Sequence, residues 1–170
     1  MVRHSRRRIL AAAVSLAVPC AVPARAMSIG KADRVLVIKS LRQLQLFRDG
    51  LLLKTYPIAL GTHPVGPKLR AGDGRTPEGV YRIDDRLPNS AYHLALHVSY
   101  PDLADFARAR AAGVDPGGKI FVHGLPASFG RVDFDSFPRD WTNGCISVGN
   151  LAIEEIWDAV DDGTPIQIQA

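Results

Sequence analysis

The sequence predicts a mostly β fold, a mixed β-sandwich or partly closed barrel that carries two short helices. Three observations lead to this prediction. Short β-rich or alternating apolar runs recur along the chain, turns rich in Gly, Pro and Asp separate them, and no strand–helix–strand alternation is present. We expect strands at 34–39, 43–48, 51–60, 79–84, 92–99, 119–123 and 164–169, and short helices at 103–112 and 151–160.

Turn and cap residues mark the ends of several of these elements. Asp49 and Gly50 stand between two strand-like runs and predict a tight hairpin turn. The stretch 61–79 is dense in Gly and Pro, which predicts an ordered loop. Asp102 is a candidate N-cap for the first helix, and Gly113 is its candidate stop.

A long segment without periodicity, 124–143, precedes the second helix, for which Asn150 is a candidate cap. The segment contains four large aromatic residues, Phe129, Phe134, Phe137 and Trp141. They provide more apolar surface than a solvated linker needs, and a loop of this length in a compact domain is usually functional or mobile. We interpret its aromatic side chains as core or lid packing.

The first 26 residues have the layout of an export signal. A basic start at 5–8 precedes an apolar stretch at 11–18, and a small-x-small cleavage site follows at 24–26. The apolar stretch is too short for a stable membrane anchor. The paired arginines after a serine favour the twin-arginine export route. We therefore predict a signal peptide at 1–26 and one domain at 27–170.

The positive charge of the chain is concentrated in that predicted signal. The chain has 21 basic and 17 acidic side chains, and five of the arginines lie within 1–26 together with no acidic residue. Removal of this segment leaves 16 basic and 17 acidic side chains, a formal net charge of −1. Nucleic-acid binding thereby loses its electrostatic basis.

Cys145 is the one cysteine that remains, because Cys20 leaves with the predicted signal. A leftover thiol in an exported protein indicates either intermolecular pairing or a reactive nucleophile. His123 ends a predicted apolar strand, and histidine is the natural base for a thiol. Gly144 leaves space for a substrate carbonyl beside the cysteine, and backbone N–H groups at this turn can stabilise an oxyanion.

These motifs resemble the L,D-transpeptidase (YkuD-like) catalytic domain. The hallmark of that family is His-Gly followed by Ser/Thr-x-Gly-Cys, and the chain has His-Gly at 123–124 and Thr-Asn-Gly-Cys at 142–145. The resemblance covers roughly 33–169. Three further blocks occur in the same order, at 49–50, 72–79 and 92–96.

The resemblance implies a periplasmic enzyme that acts on peptidoglycan stem peptides without a metal or cofactor. Cys145 attacks the carbonyl of the diamino acid at position three and expels the terminal D-alanine. An amine then resolves the thioester, which gives a cross-link or attaches a wall protein. His123 is the general base in this scheme, and the Gly124 carbonyl orients its imidazole.

The same resemblance assigns the turn before the cysteine to substrate binding. The backbone N–H groups of Asn143, Gly144 and Cys145 form the oxyanion hole, and Thr142 shapes the turn. Many family members have histidine at the position of Asn143 and arginine at the position of Ser147. Serine cannot bind a carboxylate as a guanidinium does.

Other functions stay open at this point. The Trp-Thr-x-Gly-Cys-Ile-x-Val form at 141–148 resembles a subgroup that includes a peptidoglycan–lipoprotein amidase. Hydrolysis by an amidase or L,D-carboxypeptidase with the same Cys–His site is therefore the main alternative. A non-catalytic wall-binding module and a thiol redox protein are weaker alternatives, because the chain has a Cys–His pair and lacks a Cys-x-x-Cys motif.

Two further histidines, His93 and His97, lie four residues apart and so on one face of a predicted strand. No carboxylate or cysteine stands nearby at ligand spacing, which argues against a metal site. We interpret His93 as a residue of the substrate pocket wall or a structural residue, and His97 as structural.

Overall fold

The computed structural model describes residues 29–126, 128 and 133–170. The predicted signal peptide at 1–26 and Phe129 lie outside these residues, so the export prediction stays a prediction. In the described ranges, no helix is long and apolar enough to cross a membrane. The strands are β1 Arg34–Ile38, β2 Gln43–Arg48, β3 Leu51–Pro57, β4 Gly79–Ser90, β5 His93–Val98, β6 Ile120–His123, β7 Ile146–Ser147 and β8 Pro165–Gln169, and the α-helices are α1 Leu103–Ala111 and α2 Asn150–Ala159.

The strands form one 8-stranded mixed sheet in the order β3-β2-β1-β8-β4-β5-β6-β7. The pairs β1–β8 and β6–β7 are parallel, and the other neighbours are antiparallel. The long strand β4 joins the two halves of the sheet, because its start pairs with β8 and its later part pairs with β5. The predicted mostly β fold with two short helices is confirmed, and the sheet does not close into a barrel.

The chain that follows β3, at one end of the sheet, lies against β7 at the other end. Ala59, shortly after β3, exchanges two backbone hydrogen bonds of 2.9 Å with Ser147 in β7. Gly61 forms an isolated bridge with Thr142. The segment that carries Cys145 is therefore enclosed between β6 and the chain that follows β3.

Local sequence signals account for the first hairpin and for α1. Asp49 and Gly50 have φ values of 51° and 77°, the positive values that a tight hairpin turn requires. The Asp102 side chain accepts a hydrogen bond from the backbone N–H of Asp105, whose side chain in turn accepts one from the backbone N–H of Asp102. Gly113 follows the helix with φ 68°. The predicted turn, cap and stop are confirmed.

Two strands end elsewhere than predicted. β3 stops at Pro57 instead of residue 60, where the chain turns to cross toward β7. β4 continues to Ser90 instead of residue 84, through a Pro-Asn pair that is unfavourable in strands. Pairing with β5 overrides this local preference, and the register shifts between Leu87 and Ser90 to accommodate it.

The loop at 61–79 is tied to the sheet by a buried lysine beneath it. Lys39 is 2% exposed. Its ammonium group donates to the Gly66 carbonyl at 2.7 Å, the Thr76 carbonyl at 3.0 Å and the Glu78 carboxylate at 2.8 Å. These bonds hold both limbs of the loop to the end of β1.

Alternating residues of the sheet and one face of α2 form the core. Ile153, Ile156 and Ala159 of α2 are buried in the same cluster as the inward side chains of β1, β2 and β8. The cluster also includes Val122 of β6 and Ile146 of β7. Because α2 packs against this part of the sheet, its first residues lie next to the end of β6.

Candidate active site

His123 and Cys145 line one cleft. In the parallel pair β6–β7, Val122 lies opposite Ile146 and His123 opposite Ser147. Since side chains alternate across a sheet, the buried Val122 and Ile146 point into the core. Their neighbours His123 and Cys145 point to the other face, where the cleft lies. The cleft has a volume of about 420 Å³ and lies between β6 and the turn that joins β4 to β5.

The His123 imidazole is held in one tautomer. Its Nδ1 is 2.7 Å from the Gly124 carbonyl oxygen, which can only accept, so Nδ1 carries the proton and Nε2 can accept one. The Tyr92 ring lies 4.5 Å from the imidazole and the Trp141 ring 5.8 Å, centroid to centroid. Burial lowers the pKa of His123, against the opposing effect of the hydrogen bond to Gly124.

The pKa of the Cys145 thiol is shifted in the opposite direction. Burial raises its pKa, while a backbone hydrogen bond from Phe121 and the positive charge of Lys68 act in the other direction. Sγ lies 3.6 Å from the Lys119 carbonyl oxygen, to which the thiol can donate. Both groups of the pair therefore favour their neutral forms, and the thiol requires a base when it reacts.

Thr142 closes the turn that leads to the cysteine. Its Oγ1 donates to the Cys145 carbonyl oxygen at 2.7 Å and accepts from the Gly144 N–H at 3.1 Å. The Gly144 N–H is thus engaged within the turn. Of the three N–H groups expected to bind an oxyanion, those of Asn143 and Cys145 remain as candidates.

Two glycines are required by close approaches of the backbone. A Cβ at Gly144, which has φ 130°, would lie 2.7 Å from the Arg75 carbonyl oxygen. A Cβ at Gly124 would lie 2.6 Å from Asn150 Oδ1 and 3.0 Å from the Tyr92 carbonyl oxygen. Real Cβ contacts are longer than this, so neither position accepts a larger residue without movement of the site.

Asn150 has a different role from the predicted helix cap. The N-cap of α2 is Gly149, and the Asn150 side chain points back toward β6. Its Oδ1 accepts a hydrogen bond from the Leu125 N–H at 2.8 Å, directly after His123 and Gly124. The sequence prediction missed this contact, because a helix-start asparagine looks the same whether it caps its own helix or a neighbouring turn.

The structure does not bring His93 into the cleft of His123 and Cys145. His93 begins β5 with φ 67°, and its Nε2 lies 2.8 Å from Glu154 Oε1 of α2. It lines a separate groove along α2. The residue that reaches the cleft is its neighbour Tyr92, which sequence reasoning did not select because a turn tyrosine has no distinguishing pattern.

Part of the segment 124–143 packs beside the imidazole, in agreement with its aromatic composition. The Phe137 and Trp141 rings lie 5.4 Å apart, and Trp141 contacts both Tyr92 and His123. Within the described residues, the buried Trp141 Nε1 has no hydrogen-bond partner. The same residues contain no group of three His, Cys, Asp or Glu side chains that could hold a metal ion.

Comparison with known proteins identifies the family. The YkuD model, which describes the L,D-transpeptidase catalytic domain, matches residues 32–168. The chain belongs to this family. YafK of Escherichia coli strain K12, which is provisionally named an L,D-transpeptidase, is 31% identical over 111 residues, or 64% of this chain and 37% of YafK.

Solved structures of similar fold agree with this membership. The helical cell shape determining protein Pgp2 of Campylobacter jejuni is 26% identical with a TM-score of 0.59, over 86% of this chain and 51% of that chain. Bd1075 of Bdellovibrio bacteriovorus is 30% identical with a TM-score of 0.58, over 85% and 50%. An L,D-transpeptidase from Mycobacterium smegmatis, 19% identical with a TM-score of 0.52 over 82% and 59%, shares the fold. The chain thus spans less than two thirds of each of these relatives.

Proposed function

We propose that this protein is a cysteine-dependent L,D-transpeptidase that acts on peptidoglycan stem peptides in the periplasm. The observation that carries the proposal is the shared cleft of His123 and Cys145, within a domain of the L,D-transpeptidase family. The imidazole supports the role of general base, because Gly124 holds its Nδ1 proton and leaves Nε2 available.

The first half of the reaction forms a thioester. The Cys145 thiol transfers its proton to Nε2 of His123 as Sγ attacks the carbonyl carbon of the diamino acid at position three. The N–H groups of Asn143 and Cys145 stabilise the resulting oxyanion. The C–N bond then breaks, and the imidazolium of His123 returns the proton to the departing amine of D-alanine.

The second half resolves the thioester. An acceptor amine attacks the acyl carbon, His123 takes its proton, and the Cys145 thiol is regenerated. The product is a cross-linked stem or a peptide attached to a wall protein. Water as the acceptor gives a shortened stem by the same steps, which is the amidase or carboxypeptidase alternative.

The proposal is tested by incubation of the purified protein with a disaccharide-tetrapeptide, and by mass spectrometry of both the intact protein and the products. We expect a covalent adduct on the wild-type protein, release of D-alanine, and cross-linked dimers. The Cys145→Ala protein is the matched control and should show none of these.

The products separate the two fates of the thioester. An adduct that yields only tripeptide, even with an added amine acceptor, supports hydrolysis instead of transpeptidation. A folded protein with a reduced thiol that forms no adduct and releases no D-alanine contradicts the proposal.

A further inference from the structure

A second depression lies beside the turn 142–145 and contributes no residue to the His123 cleft. It has a volume of about 460 Å³, and we call it the basic groove. Its lining residues are His63, Leu69, Arg70, Gly72, Asp73 and Arg75. All of them belong to the loop 61–79, which follows β3.

The one acidic side chain that lines the basic groove, Asp73, forms its hydrogen bonds within the loop. Asp73 accepts hydrogen bonds from the ammonium group of Lys68 at 2.8 Å and from the backbone N–H groups of Leu69, Arg70 and Arg75 at 2.7 to 3.1 Å. Although burial opposes the shift, these donors lower the pKa of Asp73 to about 2. The carboxylate therefore stays charged and is already paired with Lys68.

The two arginines of the groove are not neutralised in this way. Within the described residues, neither Arg70 nor Arg75 has a carboxylate within salt-bridge distance. The Arg75 guanidinium makes one long contact, 3.4 Å, to the Pro67 carbonyl oxygen. Since Lys68 balances Asp73, the groove presents two uncompensated positive charges to solvent.

Hydrogen bonds across the sheet place this groove on the opposite flank of the nucleophile from His123. Ser147 pairs with His123 of β6 on one side and with Ala59 on the other. The chain continues from Ala59 to His63, whose N–H donates to the Gly74 carbonyl at 3.0 Å. The Arg75 backbone packs directly on Gly144, next to Cys145.

We propose that Arg75 and Arg70 bind a carboxylate on the acyl-donor part of the stem peptide, the part that stays on Cys145. The proposal rests on the proposed function, in which His123 returns a proton to the leaving amine. The leaving group therefore departs on the side of His123, and the retained part of the peptide extends toward the opposite flank. Guanidinium groups bind carboxylates in a planar, bidentate geometry.

Binding to the Cys145→Ala protein tests this site separately from the chemistry. The probe is a tetrapeptide stem with free carboxylates on its second residue, on the side chain of its third residue and at its C-terminus. Three matched peptides each carry an amide at one of these positions. Dissociation constants are measured by titration calorimetry.

We expect amidation of one of the two internal carboxylates to weaken binding about tenfold, which is the effect of one charge-assisted contact. Whichever internal position responds identifies the carboxylate that the groove binds. In the Arg75→Gln and Arg70→Gln variants of the Cys145→Ala protein, the parent peptide should bind more weakly, and the preference for the free internal acid should decrease. Arg110→Gln removes an exposed arginine of α1 and should change neither the dissociation constant of the parent peptide nor the preference for the free internal acid.

The outcomes distinguish the two proposals. Three results would overturn the groove proposal. The first is a double variant Arg70→Gln/Arg75→Gln that prefers the free internal acid as strongly as the Cys145→Ala protein that keeps both arginines. The other two are weaker binding of only the peptide with the C-terminal amide, and no binding of the parent peptide. A thioester on the wild-type protein in such a case leaves the proposed function intact. If binding depends on the arginines but the wild-type protein forms no thioester, the proposed function is overturned and carboxylate binding by the basic groove is supported.

Discussion

At the scale of single residues, burial acts in opposite directions on the two groups of the proposed reaction. It lowers the pKa of His123 and raises that of Cys145. Both shifts favour the uncharged form of the group, so in the proposed reaction the proton leaves Cys145 as the substrate is attacked. A lowered pKa keeps His123 available as a base into mildly acidic solution, because the protonated form cannot accept a proton.

The raised pKa of Cys145 predicts slow alkylation of the resting thiol at neutral pH. The thiolate is the reactive form, and its fraction rises with pH until the pKa is passed. In a Cys20→Ser protein, where Cys145 is the sole cysteine, we expect iodoacetamide to react more slowly at pH 7 with the native protein than with the denatured protein. Faster reaction of the native thiol would indicate a resting thiolate–imidazolium pair and contradict this account.

Asn150 is predicted to position the His123–Gly124 turn. Asn150→Ala removes the acceptor of the Leu125 N–H, so we expect a loss of about 1–2 kcal/mol of unfolding free energy and slower thioester formation. Asn150→Asp is the matched control, since it retains an acceptor oxygen. Its negative charge favours the imidazolium and should shift the acid limb of the rate profile to higher pH. Urea unfolding and rates that match wild type in Asn150→Ala would rule out this role.

At the scale of elements, the turn 142–145 is predicted to depend on its contact with the loop at 61–79. Gly144→Ala places a Cβ against the Arg75 carbonyl at a backbone conformation that alanine rarely adopts. We expect loss of thioester formation and a lower melting temperature. Gly118→Ala is a suitable control, because its Cβ would make an ordinary 3.7 Å contact with Pro101. Wild-type thioester rates in Gly144→Ala would show that the turn does not need this geometry.

Lys39 is predicted to be the main anchor of the same loop. Lys39→Met leaves the Glu78 carboxylate and two carbonyl groups without their donor, so we expect a loss of about 3 kcal/mol in unfolding free energy. The exposed pair of Lys31 with Asp161 provides a contrast, and Lys31→Met should cost less than about 1 kcal/mol. Equal losses in the two variants, measured by chemical denaturation, would refute the anchor role.

Most strands and both helices were predictable because their patterns are local. The Asp49-Gly50 turn and the Asp102 cap are examples, since each depends on residues adjacent in the chain. The end of β4 and the role of Asn150 were not predictable, because partners distant in sequence determine them: β5 extends β4 through an unfavourable Pro-Asn pair, and the Leu125 N–H captures the Asn150 side chain.

At the scale of the whole molecule, the sheet order explains why a His–Cys pair could be proposed from sequence but its surroundings could not. The motifs at 123–124 and 142–145 are visible as residue patterns. The pairing of β7 with both β6 and Ala59 is not, because it joins segments far apart in the chain. This pairing on both sides of β7 places the His123 cleft and the basic groove on opposite flanks of Cys145.

The proposed function depends on a thioester that Cys145 forms with His123 as the general base. The most direct measurement is the rate of adduct formation with a tetrapeptide stem, followed by intact mass spectrometry and peptide mapping for wild type, His123→Ala and Cys145→Ala. We predict an adduct that maps to Cys145 in wild type, about a hundredfold slower formation in His123→Ala as expected for loss of a general base, and none in Cys145→Ala. An adduct on another residue, or wild-type rates in His123→Ala, would rule out this mechanism.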